Sequence, residues 1–197
     1  PCDVLIFDLE WYFAGDKTQD INMGELAWST ERFQDPIAFQ KEMQDRGFKT
    51  IVIIQPYFTS KSRNFEEVKK YSAKNQQGEP YVFSGLWGTI PKSLLIDFTN
   101  PEAQKWYGQK VFELHKTGVD AWWTDLNEPE MDFADMVFYN GKTRDAVHNL
   151  MAISSHKAIY EMYRTQIPDE RVFIISRSGF VGDWRYGAGI WSGDVTS

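Results

Sequence analysis

Short, almost uninterrupted apolar runs separated by helix-length amphipathic stretches constrain this chain more than any other feature. Asp3–Leu9 (DVLIFDL), Thr50–Ile54 (TIVII), Ser93–Phe98 (SLLIDF), Val119–Asp125 (VDAWWTD) and Val172–Ser176 (VFIIS) are such runs, and Gly189–Trp191 begins a shorter sixth. A strand wet on one face alternates apolar and polar residues. A strand apolar along nearly its whole length is buried on both faces, which is the mark of a parallel sheet. Helical stretches fill the gaps: Pro36–Arg46, halted by Gly47; Asn64–Ala73, with Asn64 as its cap; a helix capped by Asn100 with Pro101 at its first position, reaching about His115 and closed by Gly118; and a long one from about Thr143 to Arg164. Parallel strands joined this way imply right-handed crossovers.

Such units close either as an open doubly wound sheet or as a (β/α)8 barrel. The polar residues favour the barrel. Asp8, Gln55, Asp97, Asp125, Arg177 and Asp194 all fall at the C-terminal ends of predicted strands, and functional groups ringing that end of many strands are the barrel pattern. The open sheet would carry a glycine-rich phosphate loop after its first strand; Glu10–Gly15 (EWYFAG) supplies none. Six predicted strands fall short of a barrel's eight, and the sixth lies close to the end of the 197 residues. The expected fold is therefore a (β/α)8 TIM barrel truncated after about six strands, as one partial domain over residues 1–197 that lacks the last two β/α units.

The strongest local signal is Ala121–Glu130 (AWWTDLNEPE). A buried strand delivers Asp125 to the rim, and Asn127 and Glu128 follow within expected hydrogen-bond reach of it. Asp194, in IWSGD, is a second acid, and Gly193 permits a sharp turn before it. Two carboxylates on separate strand ends can cleave a glycoside with retention: one attacks the anomeric carbon, and the other protonates the leaving oxygen and later deprotonates water. The pair stand ~5–5.5 Å apart in such sites, with their pKa values split so that one is ionised and the other protonated. By spacing alone, the same residues serve equally as turn formers. A third option makes DLNEPE a site for a hard divalent cation; the helical placement of His115, His148 and His156 gives it no histidine at a strand end. We expect no metal or cofactor.

A net charge of −7 disfavours nucleic acid and anionic membranes as partners, since scattered cations would not neutralise phosphates. Lys61, Arg63, Lys69 and Lys70 read as a solvated helix face. The lone Cys2 excludes an internal disulfide framework and fits the cytosol or the periplasm alike. No apolar run approaches the ~20 residues of a membrane span. Pro1 leads straight into a strand pattern, with no signal peptide in between. Aromatic residues make up 16% of the chain, with eight tryptophans. Most serve packing, but Trp123, Trp191 and Trp87, near strand ends or in loops, are candidates to stack on sugar rings. Arg177, ending a buried strand, reads as a clamp on a sugar or a carboxylate.

Several of these segments resemble glycoside hydrolase family 31, which contains α-glucosidases and α-xylosidases. WWTDLNEP is similar to that family's nucleophile signature, with Leu126 where Met is usual. SRSGF at Ser176–Phe180 followed by WSGD at Trp191–Asp194 resembles its paired segment. LIDFTNPEAQKWY at Leu95–Tyr107 and VHNL at Val147–Leu150 resemble stretches between them. The resemblance implies a (β/α)8 catalytic barrel, which in that family is flanked by β-sandwich domains absent from these residues, with Asp125 as nucleophile, Asp194 as acid/base and Arg177 as a substrate-binding arginine. It also places DLEW, Asp8–Trp11, at the strand-one motif. There the first acid, Asp8, contacts the sugar, and the next two positions sort hexose from pentose. Ile-Asp is usual in α-glucosidases; Leu9 and Glu10 stand here, and Glu10 reaches one methylene further. The resemblance implies an exo-acting retaining α-glycosidase taking an oligosaccharide or glycoside, most like an α-glucosidase, with α-galactosidase, α-xylosidase and transglucosylase as same-site alternatives. A non-catalytic carbohydrate-binding barrel is the alternative of another class.

Overall fold

The computed structural model describes residues 2–195; Pro1 lies outside them. In chain order the elements are β1 (Val4–Phe7), α1 (Pro36–Asp45), β2 (Lys49–Ile54), β3 (Tyr57–Thr59), α2 (Phe65–Val68), β4 (Ser93–Leu95), α3 (Pro101–His115), β5 (Ala121–Thr124), β6 (Val137–Phe138), β7 (Lys142–Thr143), α4 (Arg144–Val147), α5 (Met151–Gln166), β8 (Ile174–Ser176) and β9 (Ala188–Ile190). Local chemistry sets several boundaries. Asp35 Oδ1 accepts from the Ala38 N–H at 2.9 Å to start α1, and Gly47 at φ +85° ends that segment in a conformation other residues rarely adopt. Asn100 Oδ1 caps α3 through the Glu102 N–H at 3.0 Å, with Pro101 following.

Among the described residues, β1, β2, β5, β8 and β9 form one parallel sheet in that order. Strand alternation then sorts the side chains. Phe7, Val52, Trp122 and Ile174 are register partners on one face. There Phe7 packs edge-on to Phe39 of α1 with ring centroids 5.8 Å apart, and Trp122 Nε1 donates to Tyr163 of α5 at 3.1 Å. Helix α3 lies against α5 so closely that a Cβ on Gly108 would stand 2.9 Å from the Ala158 carbonyl. Helices α1, α3 and α5 thus share one face. A doubly wound sheet carries helices on both, so the helix-free opposite face, lined by Ile51, Ile53 and Trp123, is the inside of a barrel. The sheet is an open arc: Ile6, on that inner face at the β1 edge, is 52% exposed, whereas Ile53 in the middle is 2% exposed.

Three expectations change. Ser93–Phe98 is not a barrel strand: β4 pairs antiparallel with β3 in a separate lobe, leaving five strands in the barrel sheet rather than six. Its apolar run correctly signals burial, since Leu94, Leu95 and Ile96 are fully enclosed, but burial does not specify which sheet a strand joins. Asn64 does not cap a helix; its Nδ2 donates to the carbonyls of Gly24 and Glu25 at 2.9 and 2.8 Å, and α2 is a single turn followed by a 3-10 turn at Lys69–Tyr71. The long helix expected from Thr143 is broken by a 3-10 turn at His148–Leu150. The basic residues Lys61 and Arg63 are paired, with Asp20 and Glu25 respectively. No helix among the described residues is long and apolar enough to cross a membrane.

Candidate active site

Asp125 follows the last residue of β5, and its N–H donates to the Ile54 carbonyl at 3.1 Å, so the parallel ladder carries it to the rim. The next residue, Leu126, is buried and sits at φ +57°, turning the chain sharply away. Arg177 occupies the equivalent place one strand over; its N–H donates to the Thr124 carbonyl at 3.1 Å. The guanidinium lies 3.3 Å from Asp125 Oδ1, grips Glu128 with two bonds of 2.8 and 2.9 Å, and reaches Glu130 at 2.7 Å. The planar fork suits this bidentate grip. Arg177 is thus a carboxylate clamp for the segment after β5. Sequence reading singled out Glu128 but not Glu130.

Burial raises the Asp125 carboxyl to about 6; the Arg177 charge and the Leu126 N–H pull it down, and the charges of Glu128 and Asp194 push it further up. Burial also penalises the charged form of Glu128, but its paired bonds to Arg177 prevail and hold it below the usual carboxylate range. The acid expected to be ionised during attack is therefore the raised one, and it is ionised only above about pH 6.

Asp194 is exposed and follows Gly193, whose φ of +77° fits the turn expected before the acid; a Cβ at Gly193 would stand 3.4 Å from the Arg177 stem. Its charge reaches both Asp125 and Asp8. Asp8 caps the 3-10 turn Leu9–Trp11 by accepting from the Leu9 N–H at 2.8 Å. Burial raises its carboxyl, the Leu9 N–H opposes this, and Glu10 and Asp194 add to the rise. Glu10 is exposed at the same strand end. Trp123 and Trp191 meet edge-to-face with centroids 5.6 Å apart, between the two strands that lead to Asp125 and Asp194. Trp87 lies apart from this group, in the turn between Leu86 and Ile90, at φ +50° and partly packed on the core.

Asn127 and Glu128 do not bond to Asp125 among the described contacts, which corrects the expected reach. Glu128 meets Asp125 only through their shared arginine. Asn127 is 2% exposed and turns behind the sheet, where its Nδ2 donates to Ser176 Oγ at 3.0 Å. Asp97 is not at a barrel strand end either; it accepts from Thr99 N, Thr99 Oγ1 and Tyr139 N in the lobe. Sequence reading missed Tyr12 and did not carry Gln55 into the site. The Tyr12 hydroxyl donates to Gln55 Oε1 at 3.4 Å, and its phenol is raised first by burial and then, against the Gln55 bond, by the charges of Asp8, Asp125 and Glu10. Tyr12 directly follows DLEW, so its position beside that motif was the available signal.

Carboxylates bracketing an arginine at the C-terminal strand ends of a parallel sheet, whose helices lie on the other face, are the arrangement of a TIM-barrel rim. All 197 residues match the Glycosyl hydrolases family 31 TIM-barrel domain, and the chain belongs to that family. It is 31% identical over 180 residues to an α-xylosidase, XylQ, of Lactiplantibacillus pentosus, an alignment that covers 90% of this chain and 22% of that protein. It is 29% identical over 188 residues to human neutral alpha-glucosidase C, covering 87% of this chain and 20% of the relative. A family 31 dextranase of Flavobacterium johnsoniae, solved with glucose, superposes with a TM-score of 0.83 at 26% identity, covering 98% of this chain and 24% of that one. The chain thus spans roughly a fifth to a quarter of the length of these proteins.

Proposed function

We propose that this chain is part of the catalytic barrel of a retaining, exo-acting α-glycoside hydrolase that removes a terminal α-linked hexose, most like an α-glucosidase. The remaining strands and the flanking β-sandwich domains belong to a longer polypeptide. The observation that carries the reading is the clamp: Arg177 holds Asp125, Glu128 and Glu130 together at adjacent strand ends, with the Asp194 charge close enough to act on Asp125.

In this mechanism the Asp125 carboxylate attacks the anomeric carbon and an ester to the sugar forms. The glycosidic C–O bond breaks, and Asp194 delivers its proton to the departing oxygen. Asp194 then takes a proton from water, whose oxygen attacks the same carbon; the ester bond breaks, Asp125 leaves as a carboxylate and the α product is returned. Asp8, Glu10 and Arg177 face the sugar hydroxyls, Trp123 and Trp191 offer ring faces and edges for its C–H surface, and Trp87 walls an acceptor position. Asn127 and Glu128 support the segment. The alternative to hexose is xylose, favoured by the likeness to an α-xylosidase. On the arc alone, with its inner face open to water, we expect little turnover.

A panel of aryl α-glucosides, α-galactosides and α-xylosides, tested on the full-length enzyme, checks this. Asp125→Ala and Asp194→Ala should each abolish hydrolysis of an unactivated disaccharide, and the first-formed product should be the α anomer. Near-normal activity in either variant, or a β product, rejects the assignment.

A further inference from the structure

Behind the sheet, on the helix side, lies a buried polar cluster that this chemistry does not use. His156 of α5 is wholly enclosed. Its Nδ1 is 2.9 Å from Asp183 Oδ1, and its Nε2 is 2.9 Å from Ser176 Oγ, 3.1 Å from Thr124 Oγ1 and 3.2 Å from Asn127 Nδ2. Ser176, His156 and Asp183 have the connectivity of a hydrolytic triad. They cannot work as one, because Ser176 is fully buried and its hydroxyl is committed to the Ser178 carbonyl at 2.6 Å.

What the cluster does touch is the backbone that carries the site. Thr124 and Ser176 are register partners on β5 and β8, and they immediately precede Asp125 and Arg177. Asn127, two residues past Asp125, accepts from the Ser178 N–H at 3.3 Å, which staples the segment after β5 to the segment after β8. The second Asp183 oxygen accepts from the Phe180 N–H. One ring therefore ties the roots of both functional strand ends to the outer helix, and Asp183 fixes the ring's orientation by accepting at Nδ1. A fully satisfied buried network of this kind rigidifies its surroundings.

We infer that His156 is a positioning residue for glycoside cleavage: through Thr124, Ser176 and Asn127 it holds the Asp125 carboxylate and the Arg177 guanidinium in their mutual 3.3 Å placement. This rests on the glycosidase function proposed above.

The test uses the full-length enzyme with His156→Leu, the conservative His156→Gln, and Thr124→Val, which keeps shape but removes a hydroxyl. Turnover of an aryl α-glycoside is divided by the number of sites titrated with a trapping glycosyl fluoride. A misplacement on the order of 1 Å costs up to about 100-fold, so His156→Leu should lower kcat per titrated site by about 10- to 100-fold with KM nearly unchanged. His156→Gln should recover part of that loss, and Thr124→Val should cost a smaller factor. A merely structural histidine would lower the number of titratable sites and the melting temperature but leave kcat per site intact, and that result overturns the inference. Should His156→Leu fail to fold, unchanged kcat per site in both other variants overturns it equally. Absence of turnover by the unsubstituted enzyme, or full activity of Asp125→Ala, overturns the functional reading and this inference with it.

Discussion

Asp125 should make the fold less stable than it could be, and replacing it with Asn exposes how much. The folded-state carboxyl titrates at about 6, against about 3.9 in an unfolded chain. Above pH 6 both states are ionised, but the unfolded state ionises more readily, so folding carries a cost. Below about pH 3.9 both are protonated and the cost disappears. The difference of roughly two pK units amounts to about 3 kcal/mol at neutral pH. Asn keeps the shape and can still offer Oδ1 to Arg177, yet never pays for a buried charge. Asp125→Asn should therefore gain about 3 kcal/mol at pH 8, equivalent to roughly 6–12 °C in Tm for a domain of this size. At pH 4 the gain should shrink to a few tenths of a kcal/mol. Urea unfolding of both proteins at pH 8 and pH 4 measures this directly. No gain at pH 8, or a gain that survives unchanged at pH 4, would refute the account of burial and charge at this carboxyl. The same variant should be inactive, as expected where a functional site stores destabilisation.

Two further outcomes follow from the same geometry. The acidic limb of kcat/KM should rise with a midpoint near 6 as Asp125 loses its proton; Arg177→Lys, which cannot reproduce the fork, should move that limb upward, and a pH–rate profile that stays put counts against the role given to Arg177. Gly108→Val should destabilise the domain by about 1–3 kcal/mol, because its Cβ would stand 2.9 Å from the Ala158 carbonyl at the α3–α5 contact; a thermal melt unchanged from the parent would show that the helices can part without cost.

Much of this was legible in one dimension because the relevant physics is local. Asp35, Asn100, Pro101 and Gly47 set helix ends through their own backbone chemistry, and the continuous apolar runs at β2, β5 and β8 announced buried strands, whereas the run at β1 lies at the open edge with Ile6 52% exposed. Asp125 and Arg177 could be placed at rims because strand alternation and the following turn residues are written beside them. The count of barrel strands was not legible. SLLIDF is as buried as any barrel strand, but the residue it pairs with, Tyr57 rather than a barrel neighbour, is a choice made by tertiary packing. Asn127 shows the same limit at the site: it lies two positions past Asp125, yet it turns to the Thr124 side of the sheet, away from Asp125.

The sequence by itself determined the β/α alternation, the strand-end acids and the kind of chemistry they suit, since each is carried by residues adjacent along the chain. Only the tertiary structure decided that the helices share one face, that Arg177 gathers three carboxylates, and that Asp125 is pushed up to about 6. It alone brought His156 against Thr124 and Ser176, residues 32 and 20 positions away. Those facts depend on distances between segments far apart in sequence and on how deeply a charge is buried, and neither quantity exists until the chain is folded.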